Sequence, residues 1–313
     1  MTKIAALFPG QGSQAVGMGQ DVADRWPVAA EVFEAVDRSL DFRLSSLCWE
    51  GPEDQLRLTE NTQPALLVHS AAAWAVLAAG GLRVEAVAGH SLGEYSAILA
   101  AGGLGVAEAA KTVRQRGRLM QEAVPVGQGA MAAILGLDDE IVVEICAAET
   151  ASGREVVVAA NFNSPGQIVI AGTSGAVERA SAECKERGAR RTVLLPVSAP
   201  FHSPLMAPAR EGLTPTLKAL NFETLNVPLY RNIDAEPVQD TSAVREGLIR
   251  QVDSPVLWSE IVRRLIADGV DTFVEIGTGQ VLSGLVRRID RTMKTYAAGT
   301  AEGIDTVLAE LVG

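Results

Sequence analysis

The segment AGHSLGEY, at positions 88–95, requires the backbone to turn sharply between a strand and a helix. A short apolar run, Val84–Ala88, precedes the turn, and a helical pattern follows it to about Ala101. The segment contains the G-x-S-x-G spacing, which in this context presents a serine hydroxyl at the start of a helix. Ser91 is therefore a candidate nucleophile rather than a chance match in a chain with 30 glycines.

Short apolar runs and helical patterns alternate along most of the chain, which predicts an α/β fold with a parallel sheet. The runs assigned to this sheet are Ile4–Phe8, Val84–Ala88, Leu225–Asn232 and Thr272–Ile276. The clearest helical patterns are Ala29–Leu40, Pro64–Ala79 and Val106–Val124.

The stretch 127–196 has a pattern of its own, in the order βαββαβ, which is typical of the ferredoxin-like motif. Its predicted strands are Ala130–Leu137, Glu155–Asn161, Gln167–Ala171 and Arg191–Leu195, and its predicted helices are Asp138–Thr150 and Thr173–Arg187. We therefore expect a small domain, 127–196, inserted into a large α/β catalytic domain formed by 1–126 and 197–313.

Composition and charge exclude several classes of function. Apolar residues make up 48% of the chain and charged residues 21%, as in a soluble globular protein. The net charge of −11 argues against a nucleic-acid partner, because binding phosphates needs surplus lysine and arginine. The longest apolar stretch, Ala65–Ala79, is shorter than the roughly 20 residues of a membrane span, and no signal peptide is recognised. We expect a buried helix there and no membrane partner.

The three cysteines, Cys48, Cys146 and Cys184, are widely spaced and odd in number. Since no C-x-x-C pair occurs, neither a disulfide framework nor a zinc site is indicated. A reducing, cytoplasmic environment fits this pattern.

A nucleophilic serine needs a base, and the chain has three histidines. His69 lies in an apolar helical pattern, where a hydrogen-bonded core histidine is expected, and His90 adjoins Ser91 and is expected to shape the pocket. By elimination His202, in the loop-like stretch Ser198–Leu205, is the candidate base. No acid between Ser91 and His202 is obviously dedicated to a triad, so we expect a backbone carbonyl or an amide side chain as the third member.

Two glycine-rich loops follow predicted strands, at Phe8–Gln14 and Glu275–Leu282. Neither has the glycine spacing of a phosphate or dinucleotide loop. We interpret the first as a backbone-lined loop beside Ser91. The N–H groups of Leu92 and Gln11 are then the two expected oxyanion donors.

Arg116 lies on the apolar side of a predicted helix. The residues three and four positions away are apolar except for one threonine, whereas Arg114 and Arg118 face polar residues. A buried arginine needs an anionic partner. That partner is either a carboxylate of the protein or a substrate carboxylate, which the planar guanidinium can hold with two hydrogen bonds.

Taken together, these residues resemble the malonyl-CoA:acyl carrier protein transacylases. The resemblance runs over nearly the whole chain and is carried by FPGQGSQ at 8–14, GHSLGE at 89–94, RGRLMQ at 116–121, NFNSPG at 161–166, Phe201-His202, and Gln251 in QVDSPV. It implies a hydrolase-like core with a parallel sheet and a ferredoxin-like insert, in agreement with the patterns above.

The resemblance implies the reacting groups. Ser91 is the nucleophile, His202 is the base, and Gln11 and Leu92 donate to the oxyanion. Arg116 is the clamp for the malonyl carboxylate.

Further substrate-binding residues are implied in the same way. They include Asn161 and Gln251, the latter lying near the histidine with its backbone carbonyl orienting the ring. His90 and Phe201 resemble the malonyl-selective variants, whereas Pro200 stands where some relatives differ.

The resemblance also implies the reaction. Ser91 accepts a malonyl group from malonyl-CoA and passes it to the phosphopantetheine thiol of a transiently bound acyl carrier protein, with ping-pong kinetics. No metal or bound cofactor is needed. We expect a freestanding, monomeric enzyme of fatty-acid or polyketide synthesis.

Two other functions use the same residue pattern. A serine thioesterase or esterase would release the acyl group to water instead of a thiol. A non-catalytic acyltransferase-like interaction module would not be labelled at Ser91 by malonyl-CoA.

Overall fold

Two β-sheets, one large and one small, organise the chain. The structure is a computed structural model that describes residues 2–153, 155–197 and 199–313. Within these ranges the strands are Ile4–Phe8 (β1), Ala86–Gly89 (β2), Gly129–Leu135 (β3), Val157–Ser164 (β4), Gln167–Thr173 (β5), Arg191–Leu194 (β6), Leu229–Tyr230 (β7), Pro237–Val238 (β8), Thr272–Ile276 (β9) and Lys294–Ala298 (β10).

The helices of the same ranges surround these sheets. They are Gln20–Arg25 (α1), Pro27–Ser39 (α2), Leu44–Glu50 (α3), Glu53–Leu56 (α4), Thr59–Ala79 (α5), Gly93–Ala100 (α6), Val106–Glu122 (α7), Asp139–Ala151 (α8), Ser174–Glu186 (α9), Ala207–Ala219 (α10), Thr241–Gln251 (α11), Trp258–Ala267 (α12), Val281–Ile289 (α13) and Ala301–Leu311 (α14), with a 3₁₀ turn at Pro204–Met206. Ser198, at which the predicted histidine loop begins, lies outside the described residues.

The large sheet has the strand order β10-β9-β1-β2-β7-β8. Neighbours from β10 to β7 are parallel, and β8 pairs with β7 antiparallel. All of β1 is buried, as expected for a parallel strand covered on both faces. Ala6 and Phe8 belong to the core that contains α5 and α7, whereas Ala5 and Leu7 belong to the core that contains α12 and α13. The predicted α/β fold is confirmed.

One predicted strand of this sheet is much shorter in the structure. The pattern predicted 225–232, but only Leu229–Tyr230 joins the ladder. The preceding Pro228 has no N–H to donate, and its carbonyl accepts from Val87 N at 3.0 Å. The chain leaves the sheet after β7, which puts Asn232 beyond the strand end, where it becomes part of the site described below.

The small sheet is antiparallel, in the order β4-β5-β3-β6. Its elements follow the predicted βαββαβ order with slightly shifted ends. Helices α8 and α9 pack on one face. Met131 and Val169 lie on the other face, in a cluster with Phe201. This second face forms one wall of the site.

Helix α5 is the one helix among the described residues that is long and apolar enough to cross a membrane. Of its most apolar stretch, 78% is buried inside the protein. It shares a core with α7 and with strand β1, so its apolar composition is explained by the packing of the protein interior, as the sequence predicted.

Candidate active site

Ser91 occupies the sharp turn between β2 and α6. Its φ of 52° lies in the left-handed region, which is costly for a residue with a side chain. The flanking glycines permit the turn, because a Cβ on Gly89 would lie 1.9 Å from the carbonyl of Gly93, and a Cβ on Gly93 would lie 2.0 Å from Phe8 O. A side chain at either glycine position would therefore collide with the backbone, which explains the G-x-S-x-G spacing.

His202 lies beside this serine, and its Nε2 is 2.7 Å from Ser91 Oγ. The backbone carbonyls of Gln251 and Ser254 lie 3.0 and 3.2 Å from the other ring nitrogen, Nδ1. A carbonyl can only accept, so Nδ1 carries the hydrogen and Nε2 keeps the lone pair that faces the serine. The third member of the serine–histidine arrangement is therefore a pair of backbone carbonyls, one of the alternatives that the sequence left open.

The environment keeps His202 neutral. Burial lowers its pKa to about 3, and the nearby charge of Arg116 acts in the same direction. A neutral imidazole is the form that can take a proton from a hydroxyl.

Arg116 lies in the interior with 1% of its surface exposed. Its Nη1 donates to Gln63 Oε1 at 2.9 Å, and its Nη2 donates to Gln251 Oε1 at 2.9 Å and to Ser91 Oγ at 3.2 Å. Its Nε has no hydrogen-bond partner among the described residues. The partners seen are amide oxygens and a hydroxyl, so a full positive charge faces the serine without a carboxylate bonded to it.

Two backbone amides beside the serine have no acceptor within the described part of the chain, those of Gln11 and Leu92. Leu92 directly precedes α6, whose N-terminal end adds positive potential. The side chain of Gln11 is held by Thr59, with Nε2 3.3 Å from Oγ1. Both N–H groups are available to a developing oxyanion.

His90 is fixed on the other side of the turn. Its Nε2 lies 2.8 Å from Asn163 Oδ1, and its ring centroid lies 5.5 Å from that of Trp258. Burial lowers the pKa of His90. It therefore forms a neutral wall of the site and makes no hydrogen bond to Ser91 among the described residues.

A cavity of about 300 Å³ brings most of the predicted residues together. Those that line it are Gln11, His90, Ser91, Leu92, Arg116, Asn161, Phe201 and His202. Gln251 does not line the cavity; it is wholly buried behind the serine and the arginine. Met131, Val169 and Leu195 from the small sheet and its edge close the cavity on the far side.

A second cavity, of about 650 Å³, lies around His69 and Thr278. The His69 ring nitrogens are 2.5 Å from Thr278 Oγ1 and 3.0 Å from Gly299 O. His69 is the hydrogen-bonded core histidine that the sequence predicted, and none of the predicted site residues lines this cavity.

Several residues of the site were missed by the sequence reasoning. Asn232 accepts from Ser91 N at 2.7 Å, and Gln63 holds Arg116. Glu94 accepts from Gln251 Nε2 at 2.8 Å; burial raises its pKa to about 7, against the opposing effect of its hydrogen bonds. Asn232 could have been predicted from the sequence, because it is a polar residue at the carboxyl end of a strand of a parallel sheet, where ligand-binding sites commonly lie.

The chain is similar in sequence and in structure to proteins of known activity. Residues 6–307 match a family described as the acyl transferase domain. The malonyl CoA-acyl carrier protein transacylase of Bacillus subtilis (strain 168) is 48% identical over 311 residues, which cover 99% of this chain and 98% of that protein.

Two solved structures resemble the fold over its full extent. The malonyl CoA-acyl carrier protein transacylase from Coxiella burnetii has a TM-score of 0.96 and 39% identity, covering 100% of this chain and 98% of that one. A type II PKS acyl-carrier protein in complex with its malonyl-transacylase gives a TM-score of 0.95 and 43% identity, covering 98% and 99%. The resemblance seen in the sequence is confirmed, and the chain belongs to the acyl transferase family, among the malonyl CoA-acyl carrier protein transacylases.

Proposed function

We propose that this protein is an enzyme that transfers a malonyl group from coenzyme A to the phosphopantetheine thiol of an acyl carrier protein, by way of an ester on Ser91. The names of its relatives support the donor and the acceptor, and one solved relative is bound to a carrier protein. The observation that carries the proposal is the placing of Ser91 Oγ 2.7 Å from His202 Nε2 and 3.2 Å from Arg116 Nη2.

The first half-reaction forms the ester. Ser91 Oγ attacks the malonyl thioester carbonyl while its proton passes to His202 Nε2. The N–H groups of Gln11 and Leu92 bind the oxyanion. The C–S bond then breaks, and the coenzyme A sulfur leaves with the proton of the imidazolium.

The second half-reaction is the reverse of the first with another thiol. The phosphopantetheine thiol gives its proton to His202 and attacks the ester carbonyl. The C–O bond breaks, and Ser91 Oγ recovers the proton. The carrier leaves with the malonyl group, and the kinetics are ping-pong because coenzyme A departs before the carrier reacts.

Arg116 selects the acyl group. Its guanidinium binds the free carboxylate of malonyl, and without an anion its buried charge is unsatisfied. The same carboxylate offsets the positive charge that lowers the pKa of His202. A malonyl group therefore removes one cause of the lowered pKa that an acetyl group leaves in place, while burial, the larger cause, remains.

The remaining site residues shape and support the cavity. The malonyl group is enclosed by His90, Phe201 and Asn161. Of these, His90 and Phe201 favour malonyl over bulkier acyl groups. Gln251 holds Arg116 through its side chain and orients His202 through its carbonyl, which the distances of 2.9 and 3.0 Å support.

We further propose that the large sheet is the hydrolase-like core and the small sheet a ferredoxin-like insert, which the strand order β4-β5-β3-β6 supports. The domain division follows as 1–126 and 197–313 against 127–196. We propose a monomeric, cytoplasmic enzyme. The net charge of −11 supports the absence of a nucleic-acid partner, and the burial of α5 supports the absence of a membrane partner.

The experiment that tests this function follows the fate of the acyl group. The protein is loaded with radiolabelled malonyl-CoA, freed of excess donor, and mixed with carrier protein bearing phosphopantetheine. Transfer of the label to the carrier thiol at a rate far above its release as free malonate supports the proposal. Release to water at the same rate with and without carrier would identify a thioesterase instead.

A further inference from the structure

Glu94 is a buried carboxyl to which the steps above give no role. It lies in the first turn of α6 with 1% of its surface exposed. One oxygen, Oε2, accepts from Gln251 Nε2 at 2.8 Å and from Asn232 N at 3.1 Å. Removing a carboxyl from water is costly unless its hydrogen bonds compensate. The two residues that donate these hydrogen bonds therefore indicate what the buried carboxyl does.

Both partners of Glu94 hold the backbone of Ser91. Asn232 Oδ1 accepts from Ser91 N at 2.7 Å, and Gln251 Nε2 donates to Ser91 O at 2.9 Å. Ser91 has a φ of 52°, and such conformations persist only where the surroundings enforce them. One hydrogen bond on each side of Ser91 holds the turn, and Glu94 anchors both residues that make them.

Gln251 also reaches the other two reacting groups. Its Oε1 accepts from Arg116 Nη2 at 2.9 Å, and its backbone carbonyl accepts from His202 Nδ1 at 3.0 Å. Because Glu94 Oε2 accepts from Gln251 Nε2 as well as from Asn232 N, Glu94 determines which end of the Gln251 amide faces it. The reversed amide would turn an N–H group toward the guanidinium.

The amide of Gln251 also keeps two buried ionisable groups apart. The guanidinium of Arg116 and the carboxyl of Glu94 bind opposite ends of the same side-chain amide. A direct ion pair would occupy the donors of Arg116 that a substrate carboxylate needs. The arrangement orients Arg116, and its Nε has no hydrogen-bond partner among the described residues.

We propose that Glu94 is a positioning residue for malonyl transfer, acting through Gln251 and Asn232 to hold the Ser91 turn and the Arg116 guanidinium in one geometry. The use of malonyl and acetyl transfer to test this proposal rests on the proposed function. The proposal that Glu94 positions Ser91 does not depend on which acyl group is transferred.

The test compares Glu94→Met with Glu94→Gln. The two side chains are similar in length, but only glutamine keeps an oxygen that can accept from Gln251 and Asn232. Each rate is expressed per active serine, counted by titration with a fluorophosphonate that labels nucleophilic serines. We expect Glu94→Met to lower kcat for malonyl transfer by on the order of 10²-fold, as misplacing reacting groups by about 1 Å can do.

The malonyl-to-acetyl ratio of kcat/KM separates positioning from a loss of stability. Glu94→Met should lower this ratio, because Arg116 shifts as well as Ser91, and Glu94→Gln should restore most of both kcat and the ratio. Ile98→Ala is the control. It removes a buried side chain of the same helix, leaves a cavity beside it and does not affect the hydrogen bonds of Glu94, so it should leave the malonyl-to-acetyl ratio unchanged.

Three results would overturn the proposal: wild-type kcat in Glu94→Met, a lower kcat with an unchanged ratio, or equal damage in both Glu94 variants. The rate of fluorophosphonate labelling measures the Ser91 turn without any malonyl group and should fall in Glu94→Met. If the wild type transfers no malonyl group, the proposed function fails, and this labelling rate alone decides whether Glu94 positions the serine.

Discussion

Arg116 Nη2 lies 3.2 Å from Ser91 Oγ, so the buried cation and the hydroxyl are in direct contact. An acyl group carried on that oxygen begins next to the guanidinium. A carboxylate at the far end of a three-carbon acyl group can reach this fixed positive charge. An acetyl group has no carboxylate to pair with it.

The first prediction concerns this contact. Arg116→Ala should lower kcat/KM for malonyl transfer. The corresponding activation free energy should rise by about 2–5 kcal/mol, the cost of removing one partner of a buried charge pair. Acetyl transfer should be spared or even raised, because burial then lowers the pKa of His202 without the added effect of the Arg116 charge. The measurement is the malonyl-to-acetyl ratio of kcat/KM in wild type and variant.

Arg116→Lys is the matched variant for charge. It should restore little malonyl transfer, because an ammonium cannot make the planar two-point contact. If malonyl and acetyl transfer fell together in both variants, Arg116 would be a structural residue and the carboxylate would bind elsewhere.

The second prediction concerns the base. His202→Ala should slow both half-reactions by about 10²- to 10⁴-fold, the usual loss when a general base is removed. Single-turnover rates with malonyl-CoA, and then with the carrier, measure each half separately. Near-wild-type rates would show that another base operates, and His90 would be the next candidate.

The sequence predicted the residues of the site better than the contacts between them. Short motifs predicted Ser91, His202 and Arg116 as site residues, because a tight turn, a scarcity of histidines and helical spacing each leave a local trace, and the structure brings the three together. The network behind them joins residues that lie far apart in the chain. Gln251 contacts a serine 160 positions away, and no local pattern encodes that contact.

The fold was predicted unevenly for a similar reason. Alternating apolar runs indicated β1 and β9 with their observed bounds, since buried parallel strands are continuous apolar segments. The strand predicted at 225–232 was wrong in length, because the pattern does not show which carbonyls and amides find partners. The edge strand β10, with the sequence KTYAA, was not predicted, because it contains none of the Val, Ile, Leu or Phe residues that mark the buried strands.

The third prediction concerns stability against acid. Burial lowers the pKa of His69 to about 4, below its usual 6.5. The folded protein therefore binds a proton less readily than the unfolded chain, so the stabilisation is present above pH 6.5 and is lost as the pH falls toward 4. By pH 5 this histidine alone should remove about 2 kcal/mol from the free energy of unfolding.

His69→Gln isolates that contribution. Urea unfolding at pH 7 and pH 5 should show a smaller drop in the variant, by about 2 kcal/mol, whatever its stability at pH 7. The same drop in both proteins would mean that folding does not lower the pKa of His69.

The fourth prediction concerns the carrier, which the family resemblance implies to be acidic. Two exposed basic clusters could receive it in a chain of net charge −11: Arg287, Arg288, Arg291 and Lys294 in and after α13, and Lys185, Arg187, Arg190 and Arg191 around the end of α9. Helix α13 also contributes Leu282 and Leu285 to the cavity, which favours the first cluster.

Charge reversal at Arg287 and Arg291 should therefore raise the KM for the carrier and leave acylation by malonyl-CoA unchanged. Reversal at Lys185 and Arg187 provides the comparison, with an equal change in charge further from α13. Equal effects on both half-reactions, or no effect, would reject docking at the first cluster.

The most direct measurement of the central claim is the intact mass of the protein after brief mixing with malonyl-CoA. The wild type should gain the mass of one malonyl group, located on Ser91 by peptide mapping, and should lose it when carrier protein is added. Ser91→Ala should remain folded and gain nothing. A malonyl adduct of unchanged yield in Ser91→Ala, or no adduct on the wild type, would contradict the account.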